Sequence, residues 1–247
     1  MKKNTPPVAK AVHCDTGEET CRLLSLPLFA HVTPERWRRF ADLATVRTYQ
    51  RGNILFYQGN PAMGLYLICS GRVKVRKEGQ FGHDQIVRIA EAPDLLGDRA
   101  FFSESPYAAT GEVMEESRIC FLEARQFWDL LGRDNDTLRH LVHRFADELG
   151  RAEELMHCLA ACTVRERSAA ELLRARDMGS NDEFLLTESR IELAQILGTT
   201  PEAVSRALAE FSDKGWIAGN GRKVRILAEE PLRQAACPHR RPARSLA

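Results

Sequence analysis

Two sets of residues in this chain have types and spacings that could do chemistry. The first is a set of seven cysteines: Cys14, Cys21, Cys69, Cys120, Cys158, Cys162 and Cys237. The N-terminus is basic (Lys2, Lys3, Lys10), but no apolar signal region follows it. No run of about eighteen apolar residues occurs either, so the expectation is a cytoplasmic chain with no membrane contact. Thiols stay reduced there, and reduced thiols serve as metal ligands, as redox switches or as small packing residues. Cys14 and Cys21, spaced C-x6-C, are suited to a reversible disulfide. Cys69 alternates with Leu65 and Leu67, as a buried strand residue would. Cys158 and Cys162 stand one helical turn apart. They could meet across a dimer, ligate metal or simply pack. Cys237, in a basic terminal stretch, suggests no role.

The second set lies between Thr187 and Phe211. Thr187 or Ser189 can cap a helix bearing Ile191, Leu193, Ala194 and Leu197, and Gly198 ends it. Thr200-Pro201-Glu202 then supplies a cap, a proline at the first helical position and an acid in the first turn. Ala203, Val204, Ala207, Leu208 and Phe211 form the apolar face of this second helix. The pair reads as a helix-turn-helix. Its second helix displays Thr200, Glu202, Ser205 and Arg206 near the N-terminal end, where base edges in a major groove are met. Arginine pairs with guanine O6 and N7, glutamate accepts from cytosine N4, and serine serves either way. A plainer reading makes Glu202 and Arg206 an i,i+4 ion pair. Ile217 and Val224 flank Gly219-Asn220-Gly221, a glycine-rich hairpin that reads as a wing. Arg165, Arg167, Arg190, Lys214, Arg222, Lys223 and Arg225 are available for phosphates.

These sites need elements to hold them. The 247 residues are 44% hydrophobic and 28% charged, with a net charge of +1, which excludes a mostly disordered chain and a small disulfide scaffold. Residues 1–22 are polar and carry two of the cysteines. Residues 23–132 open with a capped helix at Thr33-Pro34-Glu35 and continue as short apolar runs punctuated by glycine, the pattern of a jelly-roll. Residues 133–162 form one long amphipathic helix. Its apolar positions Leu138, Val142, Phe145, Leu149, Ala152, Met156, Leu159 and Thr163 step alternately by four and three, as in a two-stranded coiled-coil seam. The positions between them, among them Arg139, Arg144, Asp147, Glu148 and Arg151, are strongly charged, which favours a dimer seam. Residues 163–230 hold the helix-turn-helix and hairpin. Residues 231–247 read as a basic, disordered tail. The fold class expected is therefore α+β. Residues 163–228 carry ten basic and ten acidic residues, so affinity for nucleic acid must lean on specific contacts.

Longer strings carry a family likeness. The stretch Glu192-Leu-Ala-Gln-Ile-Leu-Gly-Thr-Thr-Pro-Glu-Ala-Val-Ser-Arg-Ala-Leu208 resembles the helix-turn-helix signature of the CRP/FNR regulators. Arg51–Gly59 and Tyr66–Val75 resemble that family's β-roll hairpins. The resemblance implies a cyclic-nucleotide-binding-like β-roll sensor, a dimerisation helix and a winged helix-turn-helix. It implies a homodimer on double-stranded DNA, and RNA polymerase as a partner. The Glu202, Ser205, Arg206 arrangement is similar to the FNR branch, which implies a TTGAT-like palindrome. A signal would change how the two long helices pack, with Ala152 and Thr163 as weak seam positions.

The signal is read in the same way. Cyclic-AMP-binding members hold ribose and phosphate with a Gly-Glu pair and an Arg-Ser pair. Here Tyr107, Ala108 and Ala109 stand where the Arg-Ser pair belongs, so cyclic AMP is disfavoured. The FNR branch implies a 4Fe–4S iron–sulfur cluster held by Cys14, Cys21 and Cys120, one thiol short of four. Haem b is an alternative, with His83, His140, His143 or His157 as axial ligand. A redox or diatomic-gas signal (O2 or NO) is therefore expected. A jelly-roll metalloenzyme is the remaining class. It requires a multi-histidine site, and residues 40–132 contain only His83. No nucleophile elbow or P-loop occurs, so the chain is not expected to be an enzyme.

Overall fold

The computed structural model describes residues 12–13, 26–29, 32–79, 84–131, 135–178 and 183–237. Cys14, Cys21 and His83 lie outside the described residues, as do residues 238–247. The chain divides into two compact units that part within the long helix, between Phe145 and Ala146, with the short stretch up to Ile86 at the start of one strand grouped with the second. The sequence expectation places boundaries at 132 and 162. The helix instead contributes its first turns to the first unit.

Short apolar runs with turn residues between them give the first unit two sheets. Its strands are β1 (Val12–His13), β2 (Thr45–Tyr49), β3 (Ile54–Phe56), β4 (Gly64–Ser70), β5 (Arg72–Lys77), β6 (Gln85–Glu91), β7 (Asp94–Leu96), β8 (Thr110–Val113) and β9 (Ser117–Glu123). One sheet has the order β1-β2-β9-β4-β7 and the other β3-β8-β5-β6. Three helices accompany them: α1 (Pro34–Leu43), α2 (Asp98–Phe102) and α3 (Ala124–Leu131). Gly71, at φ +90°, turns the chain from β4 into β5, and a Cβ there would collide with Ser117 Oγ.

The five-stranded sheet is covered on both faces. Its inner residues Ile68, Leu96 and Ile119 pack against Phe56, Val73 and Val113 of the four-stranded sheet. Its other face carries Val46, Leu65, Leu67, Cys120 and Leu122, buried with Leu28, Phe29, Trp37 and Phe127. This double burial explains why β4 reads as a nearly continuous apolar run.

Helix α4 (Asn135–Ala161) spans 27 residues, about 40 Å at the usual rise. Leu141 and the half-buried Phe145 pack into the apolar face just described, with the Phe145 ring edge-on to Phe102 at 5.6 Å. Arg144 is buried. Its Nε donates to Asp98 Oδ2 at 2.7 Å, and its Nη2 to Leu95 O at 2.7 Å and Asp94 Oδ1 at 3.2 Å. Sequence periodicity marks Arg144 only as one of the charged positions between the seam residues; the structure adds that it is buried and paired.

The second unit contains α5 (Val164–Met178), β10 (Glu183–Leu185), α6 (Arg190–Leu197), α7 (Pro201–Asp213), β11 (Ile217–Asn220), β12 (Lys223–Ile226) and α8 (Glu229–Gln234). Its core joins Leu172, Leu193, Leu197, Val204, Phe211 and Leu232. Two expectations change here. Thr163 lies beyond the end of α4 and is not a seam residue. Its hydroxyl and N–H both bond Glu166 Oε2, and Glu166 N–H reaches back to Thr163 Oγ1 at 3.3 Å, a capping box for α5. Residues 231–237 are not a disordered tail. They continue through α8, and Leu232 and Cys237 are buried, because apolar residues between the arginines have a core to enter.

Candidate functional site

The helix pair α6–α7 is built by local chemistry. Ser189, not Thr187, caps α6. Its hydroxyl accepts from Glu192 N at 3.2 Å, while Ser189 N donates to Glu192 Oε2 at 2.8 Å. Gly198, at φ +61°, ends α6 in the left-handed conformation. Thr200 caps α7 by accepting from Ala203 N at 3.3 Å. Val204, Ala207, Leu208 and Phe211 turn inward. Glu202, Ser205 and Arg206 are left exposed on one face of the first two turns.

That face offers a defined set of donors and acceptors. The Glu202 carboxyl is held below its ordinary value by its own backbone N–H, then by the Thr200 hydroxyl and by Arg206, so it is an acceptor at neutral pH. Ser205 donates its proton to Pro201 O at 2.8 Å, which leaves its oxygen lone pairs for an incoming amino group. Thr200 is expected from the sequence as a contact residue, and its main bond in the structure is to the helix backbone.

The other basic residues differ in exposure and in the contacts they make. Arg222 and Lys223 are exposed at the hairpin turn, where Asn220 pairs with Lys223 across Gly221 and Arg222. Gly221 has φ +64°. Arg190 Nη2 donates to Gly221 O at 3.2 Å, tying α6 to the hairpin. Burial lowers the Arg190 guanidinium pKa, and its Nη1 is buried without a partner among the described residues. Lys214 sits at the far end of α7, about 18 Å along the helix from Glu202. Its Nζ bonds Glu210 at 2.6 Å and lies 5.0 Å from the Trp216 ring. Arg165 bonds the same Glu210 and stacks over Trp216 at 5.4 Å. Arg167 is buried and donates to Leu159 O and Cys162 O, so it does not face a phosphate. A third strand, β10, pairs with β12 and completes the wing sheet. Sequence reading misses it because only three residues form it.

On α4, Leu138, Val142, Leu149 and Met156 are 50–67% exposed, an apolar stripe without a covering within the described chain. Ala152 is exposed with them. Phe145 and Leu159 depart from the stripe and are half-buried. Leu159 turns toward Gly198 of its own unit.

The cysteines divide by place. Cys120 is 1% exposed on the helix-covered face of the five-stranded sheet, opposite Leu67. Cys69, two residues beyond Leu67 on β4, is partly buried against the same apolar cluster. This matches the packing role that its alternation with Leu65 and Leu67 suggests. His143 and His157 are exposed on α4 and His140 is half-buried. At the position of the missing Arg-Ser pair, the Tyr107 ring stacks on Phe56 at 4.3 Å and its hydroxyl donates to Gly64 O at 3.0 Å. Asp98, next to Gly97, is committed to Arg144. Cys158, Cys162 and Cys237 come together in the second unit.

Comparison with known proteins agrees with this architecture. A cyclic nucleotide-binding domain model matches residues 46–134, and a Crp-like helix-turn-helix domain model matches residues 166–235. The chain is 28% identical over 192 residues to the fumarate and nitrate reduction regulatory protein of Escherichia coli K12, covering 76% of each chain. It is 27% identical over 193 residues to a CRP-like cAMP-activated global transcriptional regulator of Mycobacterium tuberculosis, covering 76% of this chain and 86% of that one. The structure of FixK2 from Bradyrhizobium japonicum superposes with a TM-score of 0.68 at 26% identity, over 78% of this chain and 98% of that one. A β-roll of the cyclic-nucleotide-binding type, followed by a capped helix-turn-helix with a three-stranded wing, makes this chain a member of the CRP/FNR family of DNA-binding transcriptional regulators, and not an enzyme.

Proposed function

We propose that the chain acts as a cytoplasmic homodimer that reads a TTGAT-like palindrome and answers a redox or diatomic-gas signal, O2 or NO. The observation that carries the DNA reading is the exposed Glu202, Ser205 and Arg206 face on a helix whose opposite face is fully committed to the core. The uncovered stripe Leu138, Val142, Leu149 and Met156 supports the dimer. Two recognition helices must meet successive major grooves about 34 Å apart, and a two-fold dimer supplies that spacing. Arg222 and Lys223 suit the flanking phosphates. RNA polymerase is the partner implied by the family.

Cyclic AMP fits poorly as the signal. An aromatic ring occupies the phosphate-arginine position, and the neighbouring acid is paired with Arg144. A 4Fe–4S cluster fits the donor chemistry better. Cys120 faces the side of the sheet on which residues 26–29 lie. With Cys14 and Cys21 it would supply three thiolates, one short of the usual four. Such a cluster would supply reactivity toward O2 and NO. The protein's part is to shield it and transmit its state to α4. Haem b on His140, His143 or His157 is the second cofactor reading, and a Cys14–Cys21 disulfide the third.

The DNA test is fluorescence anisotropy with a TTGAT-type palindrome and a scrambled duplex at one salt concentration. Arg206→Ala is expected to lose discrimination by about 1–3 kcal/mol per half-site while sedimenting as the unaltered dimer. Retained preference in that variant would refute the assignment. The signal test is iron, sulfide and absorbance analysis of anaerobically purified protein. A colourless, iron-free sample would sink the cluster and haem readings together.

A further inference from the structure

Three of the cysteines that the sensor reading leaves unused converge in the second unit. Cys158 lies in the last turn of α4, Cys162 just beyond its end, and Cys237 after α8. Their sulfur atoms all lie within 4.8 Å of one another. Cys162 and Cys237 are joined as a disulfide, with Cα atoms 6.0 Å apart and a sequence separation of 75. Cys158 Sγ sits 3.4 Å from Cys237 Sγ. Cys158 and Cys237 are buried at 2% and 4% exposure, and Cys162 is partly buried.

A disulfide needs two sulfurs, and this site buries three. We propose that Cys158, Cys162 and Cys237, when reduced, bind one thiophilic d10 metal ion, Zn²⁺ or Cu⁺, through three thiolates. Metal–sulfur bonds of about 2.3 Å set neighbouring sulfurs about 3.8–4.0 Å apart in tetrahedral or trigonal geometry. The Cys158–Cys237 separation is already close to that value. Only the sulfurs of the Cys162–Cys237 pair must part, and both stay within the present 4.8 Å envelope. Sulfurs that ligate different irons of a polynuclear cluster stand farther apart, so a single ion is the better occupant.

The surroundings suit a cation held by anionic sulfurs. The site lies at the C-terminal end of α4, where the helix dipole favours positive charge. Arg167 is buried beside it, with Nη1 on Cys162 O at 2.6 Å, and offsets the excess thiolate charge. Cys237 is fixed by its N–H, which donates to Glu166 O at 3.1 Å. Zn²⁺ would keep one open position for water, and Cu⁺ would be satisfied by three sulfurs. The disulfide and the ion are alternative occupants of one site, so metal binding requires prior two-electron reduction of Cys162–Cys237 by a thiol or phosphine.

The experiment uses the full chain, reduced anaerobically with a phosphine and freed of excess reductant. It is titrated with Cd²⁺ as a spectroscopic probe and then with competing Zn²⁺. Thiolate-to-cadmium absorbance and native mass spectrometry give affinity and stoichiometry. One ion per chain is expected, retained when Cys14, Cys21 and Cys120 are all replaced by serine. Cys158→Ser, Cys162→Ser and Cys237→Ser are each expected to weaken it by at least about tenfold, since loss of even an outer-shell partner costs that much. Cys158→Ser keeps the disulfide pair, and circular dichroism before reduction checks its folding. Three results would overturn the proposal: no ion on the reduced protein, binding that follows the other cysteines, or iron with sulfide at this site.

Discussion

Arg144→Met tests the most deeply buried charge arrangement in the first unit. The substitution keeps the length and apolar stem of the side chain and removes at least three hydrogen bonds, two of them to carboxylates. Asp94 retains Arg88 Nη2 at 2.6 Å. Asp98 has a side chain only 4% exposed, and among the described bonds it keeps only the Arg99 N–H, at 3.0 Å. The cost therefore falls on one stranded carboxylate. Breaking a buried pair by removing one partner costs about 3–5 kcal/mol. With a urea slope of about 2 kcal/mol/M, the midpoint moves down by roughly 1.5–2.5 M. The melt is followed by Trp37 and Trp128 fluorescence in a Trp216→Phe background, so that the signal reports the first unit alone. Adding Asp98→Asn removes the stranded charge and is expected to recover a substantial part of the loss. A shift below about 1 kcal/mol, or a double variant less stable than Arg144→Met by the full cost of a second lesion, would refute the reasoning.

Three further outcomes are expected. Leu149→Asp places a charge in the exposed stripe of α4, and analytical ultracentrifugation should find a monomer with unchanged helicity; a persistent dimer would remove the seam from α4. Ser189→Ala loses a reciprocal cap and should lower the stability of the second unit by about 1 kcal/mol in denaturant melts. Glu166, Glu202, Glu210 and Glu229 all have carboxyl pKa values held below the ordinary range, chiefly by hydrogen bonds. Their contribution is present above the unfolded carboxylate range and is lost as pH falls through the folded values. Acid melts should therefore show the second unit weakening below roughly pH 4.5, less so in Glu210→Gln. Stability unchanged or rising on acidification would contradict the assigned hydrogen bonds.

What can be read from the sequence is what short-range chemistry decides. The α7 cap at Thr200, the proline after it and the left-handed Gly198 act within a few residues, so the helix-turn-helix stands out without coordinates. Thr163-x-x-Glu166 carries the same kind of signal, but the heptad pattern masks it by claiming Thr163 as a seam position. Arg144 is unreadable for a different reason: its partner Asp98 lies 46 residues away, and nothing on its own helix distinguishes it from Arg139 or Arg151. Distance also hides α8, whose Arg233 looks like the start of a basic tail until Leu232 is seen to have a core. The cysteine trio needs the fold to bring Cys237 back across 75 residues.

The double burial of the five-stranded sheet has a consequence for how this protein can change. A residue on β4 or β9 answers to two packed surfaces at once, so few replacements can satisfy both. The four-stranded sheet has one such surface. Its other face carries ion pairs such as Lys74–Glu112 and Arg76–Glu112, whose side chains are 11–21% exposed. Saturation mutagenesis should find the two sheets unequal in tolerance. New specificity would be engineered most safely on the strands β3, β5 and β8, leaving β4 and β9 untouched.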